Sequence, residues 1–241
     1  MAIRIFVDFD GTIAVKDVGD TLFRRLGGAA VEEAIEAYLA EQSSARTCLE
    51  RKVKAAESLT KDQFDALIDE YAIDPGFSDF VEFCRSHDLR LCILSDGLDY
   101  YIDRILERHG IHHVERYANL LRVEQAGEGS GLKLRVEFPS ENSECDRCAC
   151  CKRNIMLSRS GEEDFLVYVG EGYSDRCPAA YADLVFAKDA LQAHCQQENI
   201  SYLPYRTFAE VRLGVEQLLA RKVLRPRRRA AIRRAAAWIA E

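Results

Sequence analysis

The sequence predicts an α/β protein: a Rossmann-like parallel sheet, covered by helices on both faces, with an all-helical insertion after its first strand. Three observations predict it. The apolar run Ile3-Arg4-Ile5-Phe6-Val7 ends abruptly in Asp8-Phe9-Asp10-Gly11-Thr12, as a buried strand does where it meets a loop. Residues 17–72 carry helical periodicity. Beyond residue 77, short apolar runs alternate with helical stretches, the signature of parallel strands joined by crossover helices.

The elements follow in chain order. After the first strand, Val31, Ala34, Ile35, Tyr38 and Leu39 recur at helical spacing, and Phe64, Leu67, Ile68 and Tyr71 repeat the pattern. Thr60 with Gln63 three residues on is a capping box, and Asp74-Pro75-Gly76 closes the block with a turn. Residues 77–87 then predict a helix, 89–94 a buried strand and 98–109 a second helix. Residues 116–123 and 132–138 are two strands joined by a glycine-containing hairpin, followed by a cysteine-rich loop and a helix from about residue 152. A strand at 165–169, a helix near Ala179, a strand at 184–187 and a helix at 190–198 complete the alternation. The predicted division is a core of residues 1–13 and 78–241, with a basic tail at 221–241, and a helical cap of residues 14–77.

Composition narrows the class. The chain has 241 residues, 48% of them hydrophobic, enough for a packed core. No apolar run reaches the length of a membrane span. Asp8 and Asp10 interrupt the apolar stretch near the N-terminus, so no secretory leader is expected and a cytoplasmic location is. Nine cysteines in that compartment predict reduced thiols or a metal rather than disulfides. The net charge is −7, yet residues 221–234 hold eight Lys or Arg and no acid. The body therefore carries 25 basic against 39 acidic residues, a balance that argues against a nucleic-acid partner.

The polar residues at the predicted strand ends carry the chemistry. Side chains alternate along a strand, so Asp8 and Asp10 point the same way. The carboxyl ends of parallel strands are where open α/β sheets bind ligands. Ser95-Asp96-Gly97, Lys152 and the run from Glu171 to Asp175 reach the same edge if the sheet is parallel. Four carboxylates there, on Asp8, Asp10, Glu171 and Asp175, repel one another unless a cation compensates them. Oxygen-only donors favour Mg²⁺. A lysine and hydroxyls beside a metal suit a phosphoryl group, whose charge needs positioned cations and donors. Taken singly, each motif has a structural reading: a turn at Asp8–Gly11, a cap at Ser95, a solvated Lys152, a solvated helix entry at Glu171 and Asp175. The ordered set is what points to a site.

DFDGT, a strand-end serine, a lysine and then GExxxD resemble the four-motif signature of haloacid dehalogenase-type phosphatases, and the likeness spans nearly the whole chain. The position of the helical insertion is similar to members with a helical cap, such as phosphoserine phosphatases. The resemblance implies Asp8 as nucleophile, Asp10 as proton donor and then activator of water, and Lys152 as the charge that neutralises the phosphorylated carboxylate. It also implies Thr12, Ser95 and the Asp96-Gly97 segment around the phosphate, with Mg²⁺ held by Asp8, the main-chain carbonyl of Asp10, Glu171 and Asp175. Glu171 departs from the usual aspartate. Ser43–Arg51, Phe138-Pro139, Cys148–Lys152 and Ala182–Lys188 look similar to the methionine-salvage branch, whose members dephosphorylate 2-hydroxy-3-keto-5-methylthiopentenyl-1-phosphate. The expected partner is thus a small phosphorylated metabolite, with no nucleic acid or membrane, in a monomer or homodimer. The rivals are a phosphoserine phosphatase and a catalytically silent binding protein of the same fold.

Other features have two readings each. Cys145, Cys148, Cys150 and Cys151 either hold zinc or pack the loop before Lys152 as thiols; the second is expected, for want of another pair at zinc-finger spacing. Arg46 and Arg51 face either substrate or solvent, and Arg46 is the candidate substrate contact. Gly127, Gly129 and Gly131 predict a hairpin tip rather than a phosphate loop, because no helix N-terminus follows. His109, His112 and His113 suit a helix end. The tail, with Ile232, Trp238 and Ile239, predicts a docked or partly disordered terminal helix.

Overall fold

Alternation along the strands decides which face each side chain buries. In this computed structural model, which describes residues 2–127, 131–143 and 147–239, the strands are β1 (Ile3–Val7), β2 (Arg90–Leu98), β3 (Glu115–Gln125), β4 (Leu132–Glu137), β5 (Phe165–Gly170), β6 (Leu184–Ala187) and β7 (Tyr202–Pro204). They form one sheet in the order β4-β3-β2-β1-β5-β6-β7. All neighbours run parallel except the β3–β4 hairpin. β1 therefore lies at the centre, and both its flanking strands contribute carboxyl ends beside Asp8.

Two apolar layers follow. Ile5, Val7, Ile93, Val167 and Val169 pack on one face against α5 (Phe77–Ser86), α6 (Asp99–Arg108) and α10 (Phe208–Leu219). Phe6, Leu94, Leu166 and Tyr168 pack on the other against α7 (Lys152–Ser158), α8 (Arg176–Tyr181) and α9 (Asp189–Gln197). Residues buried on both faces explain why the strands read as continuous apolar runs.

The helical insertion consists of α1 (Val18–Gly27), α2 (Ala29–Leu39), α3 (Ala45–Lys54) and α4 (Lys61–Ile68). Its ends are clamped together: the Val15 amide donates to Ala72 O at 3.0 Å and the Asp74 amide to Ile13 O at 2.8 Å. Asp17 caps α1, Ser44 caps α3, and Thr60 and Gln63 form the predicted capping box of α4. The insertion also touches the sheet's edge, where the Leu132 amide donates to Glu57 O at 2.8 Å.

Several expectations are corrected. Ser95-Asp96-Gly97 is a bulged part of β2, with a register shift between Leu94 and Leu98, rather than a turn beyond the strand. β7 and α10 lie between the last predicted helix and the tail; β7 is three residues long, too short for periodicity to register. The expected hairpin does join β3 to β4, and its Gly131 packs against the insertion, where a Cβ would lie 1.9 Å from Glu57 O. Residues 128–130, including Gly129, lie outside the described residues.

The basic tail is α11 (Arg228–Ile239), and among its described side chains Arg234 and Ala230 are the buried ones. Ile232 is 60% exposed, whereas Arg234 is 2% exposed. Arg234 Nη1 donates to Asp183 Oδ1 at 3.0 Å and to Tyr181 O at 2.6 Å. Asp183 also accepts the Leu166 and Arg227 amides, so it ties the tail to β5. Among the described residues no helix is long and apolar enough to cross a membrane.

Removing one partner of a buried ion pair strands the other charge, at a cost of about 3–5 kcal/mol. Asp183→Ala should therefore lower the urea midpoint of unfolding by a corresponding amount, and Arg234→Ala should do likewise. A loss within ordinary surface scatter for both would show that the tail contributes nothing to stability.

Candidate active site

Everything at the site is built around the carboxyl end of β1. Asp8 continues the strand direction, and the chain then closes a tight helical turn in which the Ala14 amide donates to Phe9 O at 2.9 Å. Gly11 sits in that turn at φ +67°, the left-handed region that glycine enters without penalty. Asp8 and Asp10 consequently stay on one side of the turn and separate into two environments.

Asp8 is 4% exposed and faces Lys152, itself 1% exposed. Lys152 Nζ donates to Asp8 Oδ1 at 2.5 Å, to Asp175 Oδ1 at 2.7 Å and to Ser174 Oγ at 3.0 Å. Burial alone would strip the lysine of its proton, but Asp175 and Asp8 outweigh it and hold the ammonium well above its ordinary range. Burial, then Asp175, push the Asp8 carboxyl up, against the pull of Lys152.

Asp10 belongs to both the sheet and the insertion. Its Oδ1 accepts the Val18 and Gly19 amides at 2.9 and 3.2 Å, at the start of α1. Its Oδ2 accepts Tyr101 Oη at 2.8 Å and Ser95 Oγ at 3.3 Å. Burial raises its carboxyl above the ordinary range, with these hydrogen bonds opposing. Burial thus raises both carboxyls, and what distinguishes them is their partners: Asp8 faces the Lys152 ammonium, whereas Asp10 is held by hydroxyls and amides.

Asp8, Asp10, Asp96, Gly97 and Glu171 meet residues of α1, α2 and α3 around a cavity of about 260 Å³. Ser95 and Thr12 are buried just behind it: Ser95 Oγ holds Asp10 and accepts the Gly97 amide at 3.0 Å, and Thr12 Oγ1 reaches Asp8 Oδ2 at 3.4 Å. Asp96 serves the loop before Lys152 as well as the cavity wall. It accepts the Ala149 and Cys150 amides, both at 2.7 Å, and so fixes the loop that delivers Lys152. Arg46 is not in the cavity lining; it lies beside Glu141 at 3.3 Å and donates to Asn142 O at 3.4 Å.

The four carboxylates expected around a metal differ in their surroundings. Asp175 is fully buried, and both its oxygens are taken: Oδ1 by Lys152 and Tyr168 Oη (2.6 Å), Oδ2 by the Glu171 and Gly172 amides (2.9 Å each). The Asp10 carboxylate is likewise filled. Among the described residues no three His, Cys, Asp or Glu side chains form a metal-holding group. Two carboxylates retain capacity. Among the described residues Asp8 Oδ2 has only the long contact from Thr12, and no hydrogen bond or ion pair reaches the Glu171 carboxylate, whose main chain is tied to Asp175 and Leu191. Burial, followed by Asp175, lifts Glu171 to about 7, the mark of a carboxylate short of positive charge. Two oxygen donors beside a phosphate cavity fit Mg²⁺, which uses one or two carboxylates plus water and substrate phosphate.

Sequence reasoning missed several contributors. Ala45, Cys48, Leu49 and Lys52 all line the cavity; their spacing of i, i+3, i+4 and i+7 is one helical face, and that stripe excludes Arg46 and Arg51. Lys52 is 9% exposed and pairs with Asp20. Tyr101, Tyr168 and Ser174 carry no motif, because their roles arise only from contacts between distant segments.

The comparisons with known proteins give the family and the fold. The chain belongs to the family described as "Putative Phosphatase", whose model matches residues 3–203. Family and fold define it as a phosphoric monoester hydrolase of the haloacid dehalogenase type. It is 29% identical, over 89% of its length and 94% of the other's, to the 2-hydroxy-3-keto-5-methylthiopentenyl-1-phosphate phosphatase of Lysinibacillus sphaericus (strain C3-41). The protein of that name from Bacillus cytotoxicus is 27% identical over 92% of this chain and all of its own. In fold, the chain is similar to a phosphoserine phosphatase solved as a phospho-aspartyl intermediate analogue (TM-score 0.64, 19% identity, 87% of this chain and 97% of that one). The phosphoserine phosphatase of T. onnurineus is similar too (TM-score 0.61, 17% identity, 89% and 94% covered).

Gly97 tests the packing. A Cβ there would lie 1.8 Å from Tyr101 Oη and 2.5 Å from Asp10 Oδ2. Gly97→Ala should leave the fold intact by circular dichroism while cutting phosphatase kcat by about 100-fold, the cost of a roughly 1 Å misplacement. Wild-type turnover in this variant would show that Asp10 need not be held where Tyr101 holds it.

Proposed function

We propose that this phosphatase transfers the phosphoryl group of a small metabolite to Asp8 and then to water, with Mg²⁺ as cofactor. The observation that carries the reading is the Asp8–Lys152 contact at 2.5 Å, with Asp10 held apart from it by Tyr101 and α1. Asp8 attacks phosphorus, and the bond to the leaving oxygen breaks as Asp10 supplies it a proton. Asp10 then withdraws a proton from the water that cleaves the aspartyl-phosphate, returning both carboxyls to their starting states. Lys152 offsets the charge gathered on Asp8 and the phosphoryl oxygens. Asp175 and Ser174 act through Lys152, by holding its ammonium in place. The Gly97 amide and the hydroxyls of Ser95 and Thr12 border the phosphate. Asp8 and Glu171 would hold Mg²⁺, which supplies positive charge against the phosphate and keeps Asp8 ionised.

Residues 14–77 act as the cap that chooses the substrate. Its cavity wall combines apolar Ile35, Ala45, Cys48 and Leu49 with the polar pair Lys52 and Asp20. An apolar stripe ending in a lysine suits a substrate with an apolar tail and an oxygen-rich head. This supports 2-hydroxy-3-keto-5-methylthiopentenyl-1-phosphate, the substrate in the names of the curated relatives, over phosphoserine. A cytoplasmic location suits such a substrate.

The test is a phosphomonoester panel with and without Mg²⁺, containing an aryl phosphate, phosphoserine and the methylthiopentenyl enol-phosphate. The enol-phosphate should give the highest kcat/KM, chelation should abolish turnover, and Asp8→Asn should leave none. Preference for phosphoserine would move the protein to the rival branch, and inertness across the panel would leave a silent binding protein. Lys52→Ala should raise KM for the enol-phosphate by about tenfold, the worth of one charge-assisted hydrogen bond, while changing aryl phosphate hydrolysis far less.

A further inference from the structure

The mechanism leaves a second cavity unused. It measures about 410 Å³ and shares Tyr173 and Ser174 with the first cavity as a common wall. Lys152 lines it, as do Cys148, Cys151, Arg153 and Cys177. Cys148 and Cys151 are three residues apart, and the Cys148 side chain hydrogen-bonds to the Cys151 sulfur. That bond is the main reason the Cys151 thiol is drawn down to about 6; the Asn154 amide, Arg153 and Asn142 reinforce it against burial. The other buried thiols behave oppositely: burial pushes Cys84 and Cys92 up to about 12 and Cys195 to about 11.

We propose that Cys148 and Cys151 form an oxidation site, converted to a disulfide by a hydroperoxide entering this cavity, and that the bridge reversibly disables the catalytic centre. The Cys151 thiolate attacks the peroxide, forming an S–O bond as the O–O bond breaks and hydroxide leaves. Cys148 sulfur then displaces the hydroxyl from the Cys151 sulfenic acid, and its proton departs with that hydroxyl as water. Two thiols are oxidised by two electrons, and one hydrogen peroxide is reduced to two waters.

The loop geometry couples this bridge to Lys152. Ala149 and Cys150, the residues between the two sulfurs, supply the amides that grip Asp96. The Cys151 amide donates to Ser140 O at 2.7 Å, and the Lys152 amide to Cys150 O at 2.8 Å. Tyr38 Oη anchors the start of the loop on Arg147 O at 2.6 Å. Closing a small ring across residues 148–151 pulls the amides from Asp96, and Lys152, the next residue, shifts from Asp8. The loss of activity rests on the phosphatase reading above; the bridge itself does not.

Full-length protein is treated with hydrogen peroxide, digested without reductant and mapped by mass. The expected product is one Cys148–Cys151 bridge, with aryl phosphate hydrolysis falling about tenfold or more, as displacement of a catalytic group requires, and returning with dithiothreitol. Cys148→Ser should keep basal activity and form no such bridge; Cys177→Ser, which removes an exposed thiol, should behave as wild type. No bridge, or one joining Cys151 to a different cysteine, overturns the site. A bridge formed without loss of hydrolysis overturns its coupling to Lys152. Mass mapping needs no turnover, so an inert wild type that still forms the bridge fails the phosphatase reading alone.

Discussion

The structure depends on one buried ammonium. Lys152 has lost nearly all contact with water, and a lysine so placed is tolerated only where carboxylates and hydrogen-bond acceptors repay its desolvation. Asp8, Asp175 and Ser174 do so: Asp8 comes from the end of β1, Ser174 and Asp175 from the loop between β5 and α8, and Lys152 itself opens α7. The ion pair therefore fixes how three segments meet. It also separates two acids that look alike in the sequence, since Asp175 spends its whole capacity on Lys152, Tyr168 and two amides while Asp8 keeps an oxygen open.

A second constraint joins the insertion to the sheet. Asp10 is held on one side by the first amides of α1 and on the other by Tyr101 and Ser95. Any movement of the insertion that draws α1 away removes two donors from this carboxylate. The insertion and the proposed proton carrier are thus linked through one side chain. Asp96 makes a comparable link behind the site, where a carboxylate on β2 organises the loop before Lys152.

Much of this was legible in the chain. Continuous apolar runs identified the central strands because those strands are buried on both faces, and the capping box at Thr60 marked α4 through purely local hydrogen bonding. The motifs around Asp8, Ser95, Lys152 and Glu171 could be ordered because a parallel sheet sends every strand's carboxyl end to one edge. Other parts were illegible for identifiable reasons. β7 is too short to show a period. Ile232 looked like a docking residue, yet Arg234 docks the tail, because its partner Asp183 lies far away in sequence. Arg46 drew attention as a charge on the insertion, while the helical stripe ending at Lys52 carried the geometric information.

The sequence by itself determined the sheet, the insertion and the residue types gathered at β1, since these depend on local periodicity and on which groups tolerate burial. Only the tertiary structure decided the division of labour: Asp8 against Lys152, Asp10 in the grip of α1 and Tyr101, Asp96 and Asp175 turned to positioning, and Glu171 left open. The physical reason is that a carboxylate's role is set by how many donors reach its oxygens and how much water it has lost. Both are properties of the three-dimensional surroundings, and neither is encoded by the residue's own letter.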